Sequence, residues 1–431
     1  MNKRGLTWLS SLAVAVLMVV CTGPAAGAGF GLFEQGAKAM GMAGAFTAQA
    51  DDPSLFFYNV GGLGFATPGQ WSLGAVRVQG TEATFQGAAP SPGPAATGEQ
   101  YALSEAIYNG GVVLPLGATW RWGVGLSTPF GLETKWKNPR GWPGRFLNNK
   151  AAIRAIDINP ALGWQVTPNL GVGFGAIIRN SDLILKRDVP RVIPGGALDI
   201  AGVTLDSDME RGYGWNVGLL HKPTPALSWG LSYRSKVKVD YEGNGRFTQH
   251  LTGIPAVDAA VPVLLPLNQN LPIKTTIEFP DMASLGVAYN LSSNLLLETD
   301  VNWTGWSSFD QIAIRFTGAP ALNSTVNSQW DDVYNYRAGL RWTTSPTSQW
   351  RFGAYYDETP QPEESVGPLL PDANRKGLTF GYGFTGAWKI DAAVMYVNFD
   401  DRTRNSTFPG EPVFNGTYKN EAWLFGLTFG H

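Results

Sequence analysis

Five stretches of this chain alternate, residue by residue, between large apolar side chains and small or polar ones. This period of two is typical of β-strands, because successive side chains of a strand point to opposite faces of the sheet. The large apolar set is rich in aromatic residues, and the opposing set is rich in glycine. Together they predict a membrane β-barrel, with lipid on one face and a lumen on the other. The clearest segments are 120–127, 170–179, 229–241, 378–384 and 423–430.

A soluble β-sandwich is the alternative that a single alternating strand allows. The outer faces of a sandwich would be rich in charge, whereas charged residues make up only 15% of this chain. Beyond the N-terminal leader, no segment is long and apolar enough for a membrane-spanning helix. A closed barrel is then the remaining way to satisfy the backbone hydrogen bonds of an exported membrane protein.

The first residues have the pattern of a secretory signal peptide. Two basic residues precede an apolar stretch at 12–20, and small residues follow at 25–28. We therefore predict that residues 1–27 are a cleaved signal peptide. The single cysteine, Cys21, lies within it. A lipoprotein anchor at Cys21 is the alternative, but the preceding residue, Val20, is larger than the residue such sites normally carry.

From Trp71 onward, about 14 candidate strands are joined alternately by short and long links, as expected when both ends of a barrel face the periplasm. We predict an all-β fold, a 14-stranded antiparallel transmembrane β-barrel over residues 69–431. The short turns are expected near 115–117, 167–169, 223–226, 290–294, 344–348 and 388–391. The long extracellular loops are expected at 81–100, 129–150, 188–208, 243–273, 317–330, 359–375 and 401–417.

Residues 28–68 lack sustained alternation and are predicted to form an N-terminal hatch that plugs the barrel. A barrel of this size leaves a lumen, since even eight strands can enclose a small ligand. A disordered periplasmic tail is the alternative, but this segment has too many large apolar side chains for a solvated tail. Residues 51–54 indicate a turn or the start of a helix, with Pro53 at its first position. The large side chains are Phe30, Leu32, Phe33, Phe46, Leu55, Phe56, Phe57 and Tyr58.

Ten short motifs spread along the chain carry a family resemblance. They are AGF at 28–30, ADDPS at 50–54, YN at 58–59, PFGL at 129–132, NP at 159–160, GYGWNVGLL at 212–220, SYRSKVK at 232–238, TGWSSF at 304–309, YNYR at 334–337 and AWLFG at 422–426. Through them the chain resembles the FadL/TodX family of outer-membrane transporters for long-chain fatty acids and aromatic hydrocarbons. The resemblance covers essentially the whole mature chain.

The resemblance implies a monomeric barrel in outer-membrane lipid, inserted by the barrel assembly machinery and closed by the hatch. It implies passive uptake of hydrophobic molecules, with long-chain fatty acids as the expected cargo and aromatic hydrocarbons as the alternative. Capture at an extracellular groove would be followed by binding in the lumen, a hatch rearrangement and exit through a lateral gap in the wall. No cofactor and no metal are expected.

A basic lumen residue would orient the carboxylate of a fatty acid, whose tail gains roughly 0.8 kcal/mol per buried methylene. Arg179 is the first candidate and Arg315 the second. The alternative for each is an ion pair with an acid such as Asp182 or Glu298. Phe30 matches the start of family members, in which the N-terminus reaches the lumen site.

The predicted loop 243–273 is unusually apolar for an exposed segment, which points to a binding surface. We expect it to form half of the capture groove, with Val261, Leu264 and Leu265 among the contacts; packing against neighbouring loops is the alternative. The apolar residues are Ile254, Val257, Val261, Val263, Leu264, Leu265 and Leu267.

The chain departs from the family pattern in two places. Asn59 matches the first residue of an Asn-Pro-Ala turn in the hatch, but valine and Gly61 replace the proline and the alanine. Gly61 and Gly62 are expected to supply free bending there. The chain also ends Phe429-Gly430-His431 rather than on an aromatic residue, so Phe429 would have to serve as the assembly signal.

The sequence argues against other classes of function. A net charge of −2 does not suit a nucleic-acid partner. A lipid-modifying enzyme would need a nucleophile beside a histidine, but His221, His250 and His431 are expected at a periplasmic turn, an extracellular loop and the terminus. Neither a Gly-x-Ser-x-Gly elbow nor a His-Glu-x-x-His metal motif occurs. A water-filled porin would have strong charge rings and no long plug.

Overall fold

The structure, a computed structural model, describes residues 29–431 apart from Thr81, Leu103 and Gly195. The predicted signal peptide, including Cys21, lies outside the described residues. In chain order the strands are β1 (Trp71–Gly80), β2 (Thr84–Gly87), β3 (Thr97–Glu99), β4 (Ser104–Pro115), β5 (Trp120–Lys135), β6 (Lys150–Thr167), β7 (Leu170–Ile193), β8 (Gly196–Ser207), β9 (Glu210–His221), β10 (Leu227–Arg234), β11 (Val237–Gln249), β12 (Leu271–Phe279), β13 (Met282–Asn290), β14 (Leu295–Thr304), β15 (Gln311–Phe316), β16 (Ser324–Asn327), β17 (Val333–Ser345), β18 (Ser348–Asp357), β19 (Arg375–Thr385), β20 (Lys389–Phe399), β21 (Arg402–Arg404), β22 (Gly416–Lys419) and β23 (Glu421–Gly430).

The described residues contain few helices, and all of them are short. The α-helices are α1 (Ala37–Met40), α2 (Leu55–Tyr58) and α3 (Pro255–Leu264), and the 3₁₀ helices are Val60–Phe65, Trp306–Ser308, Pro320–Leu322 and Glu363–Ser365. None of them has the length and the apolar character that a membrane crossing needs.

The main sheet closes on itself as an antiparallel barrel. Strand β1 pairs with β4 on one side and with the last strand, β23, on the other, with Val76 opposite Ile107 and Gly426. Among the described residues, 14 strands form this wall, which confirms the predicted fold class. They are β1, β4, β5, β6, β7, β9, β10, β13, β14, β17, β18, β19, β20 and β23.

Short links join these wall strands in pairs where the sequence places turns. For example, β6 and β7 are separated by residues 168–169, and β17 and β18 by 346–347. At this end of the wall the aromatic rings of Trp120 and Trp164 stack with their centroids 5.3 Å apart. Aromatic girdles of this kind are typical of the membrane interface.

The wall strands have the predicted alternation in their lower part, toward these short turns. On β7, Phe174 is exposed on the outer face while its neighbours Gly173 and Gly175 are buried on the inner face. The same pattern holds on β5, β19 and β23. Lipid contacts the apolar outer face of the wall, and the hatch fills the lumen beside the inner face.

Above this band the wall continues as an extracellular extension made of β8, β11, β12, β15 and β16 together with the upper part of β7. There the faces are reversed: Val237, Val239 and Tyr241 are buried, while Lys238 is exposed. Our prediction of one continuous alternating strand over 229–241 is therefore wrong beyond residue 235. A shift of one residue between β10 and β11 exchanges the two faces.

Most of the predicted long loops contain regular structure instead, and two of them contain the longest elements. Residues 188–208 are mainly a β-hairpin between β7 and β8, and 243–273 contains the end of β11, helix α3 and the start of β12. Residues of β2, β3, β21 and β22 form a second, four-stranded extracellular sheet.

The hatch segment lies inside the lower barrel and is almost wholly buried. Glycines of the wall receive it, because their missing side chains leave room for close approach. A Cβ atom added to Gly173 would lie 2.1 Å from the carbonyl oxygen of Val60, and one on Gly125 would lie 2.3 Å from the Cβ of Phe56. The glycines that the sequence places on the lumen face are thus sockets for the hatch.

Acidic side chains of β14 hold the hatch backbone. Asp300 accepts hydrogen bonds from the backbone N–H groups of Phe46 and Thr47, both at 3.0 Å. Glu298 accepts from the N–H of Ala48 at 2.6 Å and from the side chain of Gln49. The two buried carboxylates replace the water that these hatch groups would otherwise require.

Candidate functional site

Phe30, near the start of the described chain, lies in an aromatic chamber at the junction of the wall and its extension. Its ring is 4.7 Å from that of Trp306, 5.2 Å from Phe309 and 5.7 Å from Trp330, measured between centroids. Phe130 and Phe279 complete the chamber at 6.0 and 6.1 Å. We call these six residues the aromatic chamber.

Arg179 reaches the same place from β7. Its guanidinium group lies 4.7 Å from the ring centroids of both Phe130 and Phe279. It donates two hydrogen bonds to Asp157, at 2.7 and 2.8 Å, and Asp157 also accepts one from Arg234. Within the described part of the chain, the Nη1 atom of Arg179 is buried without a hydrogen-bond partner. The chamber therefore contains one oriented N–H donor group that is available to an anion.

The acids expected as partners for Arg179 have other roles. Asp182 is bound by Arg154 in a two-pronged ion pair, and Glu298 holds the hatch. Asp157 is the partner because it lies directly opposite Arg179 in the ladder between β6 and β7.

The free space in the chamber is small. A cavity of about 40 Å³ lies between Phe30, Phe309 and Trp330 and the apolar side chains of the extension. Drug-sized ligands occupy sites of about 300 Å³ or more, so the chamber with Phe30 in place has no room for a molecule of that size. A wider apolar groove of about 620 Å³ runs beside Leu231 and Leu285, whose exposed side chains face lipid.

The first described residues are held in this position by hydrogen bonds. The backbone N–H of Gly29 donates to the Asp372 carboxylate at 3.0 Å, and Arg375 donates to the Gly29 carbonyl. Gly29 has φ +61°, and a Cβ atom there would lie 2.7 Å from the Trp330 ring. Only glycine fits this position without displacing the chamber wall.

The barrel wall is interrupted beside the chamber. Strands β4 and β5 pair only from Gly110↔Leu126 to Pro115↔Arg121, although both strands continue upward. Pro129 lies in the unpaired part of β5, and a proline has no N–H group to donate to a ladder. The backbone ladder of the wall thus has a lateral gap between β4 and β5, across which the Thr128 hydroxyl bonds the Tyr108 backbone.

Hatch residues fill this lateral gap. The Gln35 side chain accepts from the backbone N–H of Thr128 at 3.0 Å and donates to its carbonyl at 2.8 Å. The N–H of Leu32 donates to the carbonyl of Pro129 at 2.8 Å. The hatch therefore supplies the hydrogen bonds that β4 does not.

Arg315 is not part of the lumen. It lies on β15, where Ile312, Ile314 and Phe316 are buried and the arginine is exposed on the outer face. It stands beside Lys274 of β12 in the extension. The prediction that Arg315 meets a carboxylate in the lumen is wrong, because the reversed faces of the extension turn it outward.

The residues proposed for the capture groove divide between two environments. Val261 and Leu265 are buried against the interior of the extension, whereas Leu264 is exposed. With Val263, which is 86% exposed, Leu264 gives helix α3 an apolar outer surface. The segment is thus both packed and exposed.

The hatch turn is closely packed and hydrogen-bonded. The Asn59 side chain accepts from the Gly61 N–H at 2.9 Å and donates to the carbonyls of Thr47 and Leu219. Cβ atoms on Gly61 and Gly62 would lie 2.8 Å from the Leu219 backbone and 2.3 Å from the Ala50 carbonyl. Both glycines thus allow close packing, a role that the sequence-based expectation of free bending did not include.

Sequence reasoning identified Phe30 and Arg179 but missed most of the chamber. Asp157 could have been found by counting back from the turn at 168–169, since it stands opposite Arg179 across that hairpin. For Phe279, Trp306, Phe309 and Trp330, which lie in or beside the long links, no periodic signal was present.

Comparisons with known proteins agree with this architecture. The family model described as "Outer membrane protein transport protein (OMPP1/FadL/TodX)" matches residues 18–431. The chain is 23% identical to a long-chain fatty acid transport protein of Escherichia coli, with all of both chains covered. It is similar in structure to a Pseudomonas aeruginosa FadL homologue, with a TM-score of 0.82, 20% identity and coverage of 94% and 99%. The toluene transporter TodX of Pseudomonas putida gives 0.67, 16%, 94% and 99%.

Proposed function

Because the chain belongs to the OMPP1/FadL/TodX family of outer membrane transport proteins, we propose that it carries long-chain fatty acids passively across the outer membrane. Family membership agrees with the expectation of a transporter rather than an enzyme. The observation that carries the choice of cargo is the aromatic chamber with the unpartnered N–H of Arg179. Its rings would bury the start of an acyl tail, and the arginine would bind the carboxylate.

The proposed path starts at the apolar surface of helix α3 and continues through the apolar interior of the extension. Leu183, Leu185 and Ile153 are among the apolar residues that line most of the small cavity adjoining Phe30, and four polar residues complete its lining, so a tail would contact mainly apolar side chains there. Displacement of Phe30 would vacate the chamber. Movement of Gln35 would then open the lateral gap between β4 and β5 toward the lipid.

Uptake of aromatic hydrocarbons is the second candidate. The five rings around Phe30 suit a small aromatic molecule, which would need no partner for a charge. Of the three similar proteins described above, one is named a long-chain fatty acid transport protein, one is a FadL homologue and one is a toluene transporter. The arginine favours the acid.

The cargo is tested by changing the charge without changing the wall. In a strain that lacks its own transporter, Arg179→Gln should lower oleate uptake at least tenfold and leave methyl oleate uptake within twofold of wild type. Arg154→Gln is the matched control, because that arginine also pairs with an aspartate of β7 but is exposed. Equal losses for the acid and the ester would show that Arg179 has only a structural role, and toluene uptake without oleate uptake would favour the second candidate.

The hatch movement is tested by a disulfide. The Cβ of Ala37 would lie 3.3 Å from a Cβ added to Gly426, close to the separation in disulfides. Ala37→Cys with Gly426→Cys should block oleate uptake when oxidised, retain oleate binding and recover uptake after reduction. The Ala37→Cys single variant controls for the substitution. Wild-type uptake by the oxidised form would contradict movement of the whole hatch.

We also propose that residues 1–27 are removed on export and that residues 28–68 act as the hatch of a barrel over 69–431. The mature chain would be inserted by the barrel assembly machinery and work as a monomer in outer-membrane lipid. The mass of the purified protein and light scattering in detergent test the cleavage and the monomer.

A further inference from the structure

Three metal-binding side chains meet in the extracellular extension, away from the aromatic chamber. They are Asp188 on β7, Asp199 on β8 and His250, which follows β11 directly. One donor atom from each lies within 4.8 Å of the others. Donors on a tetrahedral zinc ion lie about 3.4 Å apart, from bonds of about 2.1 Å, so small side-chain rotations suffice.

Hydrogen bonds satisfy only some of the polar atoms in this cluster. The Nδ1 of His250 is 2.7 Å from one oxygen of Asp199, and the amide nitrogen of Asn149 donates to Asp188 at 2.9 Å. The second oxygen of each aspartate and the amide oxygen of Asn149 are buried with no hydrogen-bond partner among the described residues. Asp188 is 5% exposed and Asn149 is 9% exposed. Three buried acceptor oxygens without a donor point to a cation.

The charges around the cluster agree with this reading. The Asp188 and Asp199 carboxylates are forced together, with an oxygen of each within 4.8 Å of the other. The nearest cation outside the cluster, Arg140, is 3.6 Å from Asp199, too long for a hydrogen bond. An added Cβ on Gly202 would lie 3.2 Å from the Nε2 of His250. Glycine therefore leaves that ring edge open.

We propose that Asp188, Asp199 and His250 bind a divalent transition-metal ion, with Zn²⁺ as the ion that suits one imidazole and two carboxylates, and that Asn149 supports it. Ca²⁺ suits the set less, because it takes six to eight oxygen donors. The ion would tie the β7–β8 hairpin to the segment that leads into helix α3. The metal would thus fix the exposed apolar helix to the extension, and it takes no part in the aromatic chamber.

The test is a Zn²⁺ titration by calorimetry of the whole protein, purified without a polyhistidine tag and stripped with EDTA. We expect one ion per chain, with affinity at least tenfold lower in Asp188→Asn and in His250→Gln. Asp206→Asn on β8 and His221→Gln at a periplasmic turn are the matched controls and should bind like wild type. Heat-modifiable electrophoretic mobility shows that each variant is folded.

Hydrogen exchange gives a second readout that does not depend on the variants. Zn²⁺ should slow the exchange of amides in 196–207 and 250–264 and leave the lower wall unchanged. Absence of one-to-one binding by the folded wild type would overturn the proposal and leave a proton shared by the two carboxylates. Unchanged affinity in both ligand variants, or a preference for Ca²⁺ over Zn²⁺, would also overturn it.

Discussion

The membrane-spanning wall and its extracellular extension use the same strand geometry with opposite faces. On β10, Leu231 faces lipid and Ser232 faces the hatch, whereas on β11, Val239 faces the interior and Lys238 faces water. Below, the interior is filled by the hatch, whose backbone needs polar partners and room. Above, the interior is an apolar space that leads to the aromatic chamber. What stands on each side of the wall decides which face is apolar.

The largest expected effect comes from filling a hatch socket in the lower wall. Gly173→Ala places a Cβ where only 2.1 Å separates it from the Val60 carbonyl. We expect a loss of about 3 kcal/mol or more in the free energy of unfolding, since backbone rather than a flexible side chain must move. Urea titration in lipid vesicles measures it. Gly367→Ala in the extracellular region, with its nearest atom 3.5 Å away, should stay near wild type; equal stability of both variants would contradict the socket interpretation.

The next effect tests the reversed faces directly. Leu231→Lys puts a charge against lipid and should lower the free energy of unfolding by about 2 kcal/mol. Lys238→Leu, on the outer face of the extension, should change it by less than about 0.5 kcal/mol. The same titration compares them. A large loss in Lys238→Leu would mean that the outer face of the extension depends on its charge.

A smaller effect is expected where the wall holds the hatch. Asp300→Ala leaves the N–H groups of Phe46 and Thr47 without their acceptor and should lower the stability of the hatch by about 1 kcal/mol. Hydrogen exchange should accelerate at those two amides while the wall amides stay slow. Asp240→Ala in the extension serves as the control, and unchanged exchange in Asp300→Ala would show that other contacts hold the hatch.

The smallest effect is expected on the outer face of the extension. Lys236 and Glu278 form an exposed ion pair at 3.4 Å, and such pairs contribute a few tenths of a kcal/mol at most. Lys236→Ala should leave the unfolding midpoint unchanged within error. A clear shift would indicate a charge network there.

The sequence predicts the fold better than it predicts the site. Period two is a property of the strand itself, so the lower wall, the short turns and Arg179 on the lumen face follow from it. The period alone does not say which face contacts lipid. The one-residue shift after Ser235 cannot be detected in the sequence, because the valines after it continue the same alternation. Arg315 was misplaced for the same reason.

The chamber depends on contacts that no local pattern records. Phe30, Phe130 and Trp306 are separated by about one to three hundred residues and meet only when the hatch is inside the closed wall. The glycines of the wall carried the missing signal. Because glycines have no side chain, they allow another backbone to approach closely. A small residue on the lumen face is, however, equally compatible with an open channel, so the sequence alone does not distinguish the two.

In the function that we propose, cargo that binds in the aromatic chamber takes the place of Phe30. A fatty acid bound there would have to offset the lost burial of one phenylalanine ring, about 1.5–3 kcal/mol, and each of its methylenes would contribute about 0.8 kcal/mol. About two to four methylenes are therefore needed to offset the lost burial of the Phe30 ring. On the proposed path, Phe30 would thereby set a minimum length for a fatty-acid cargo.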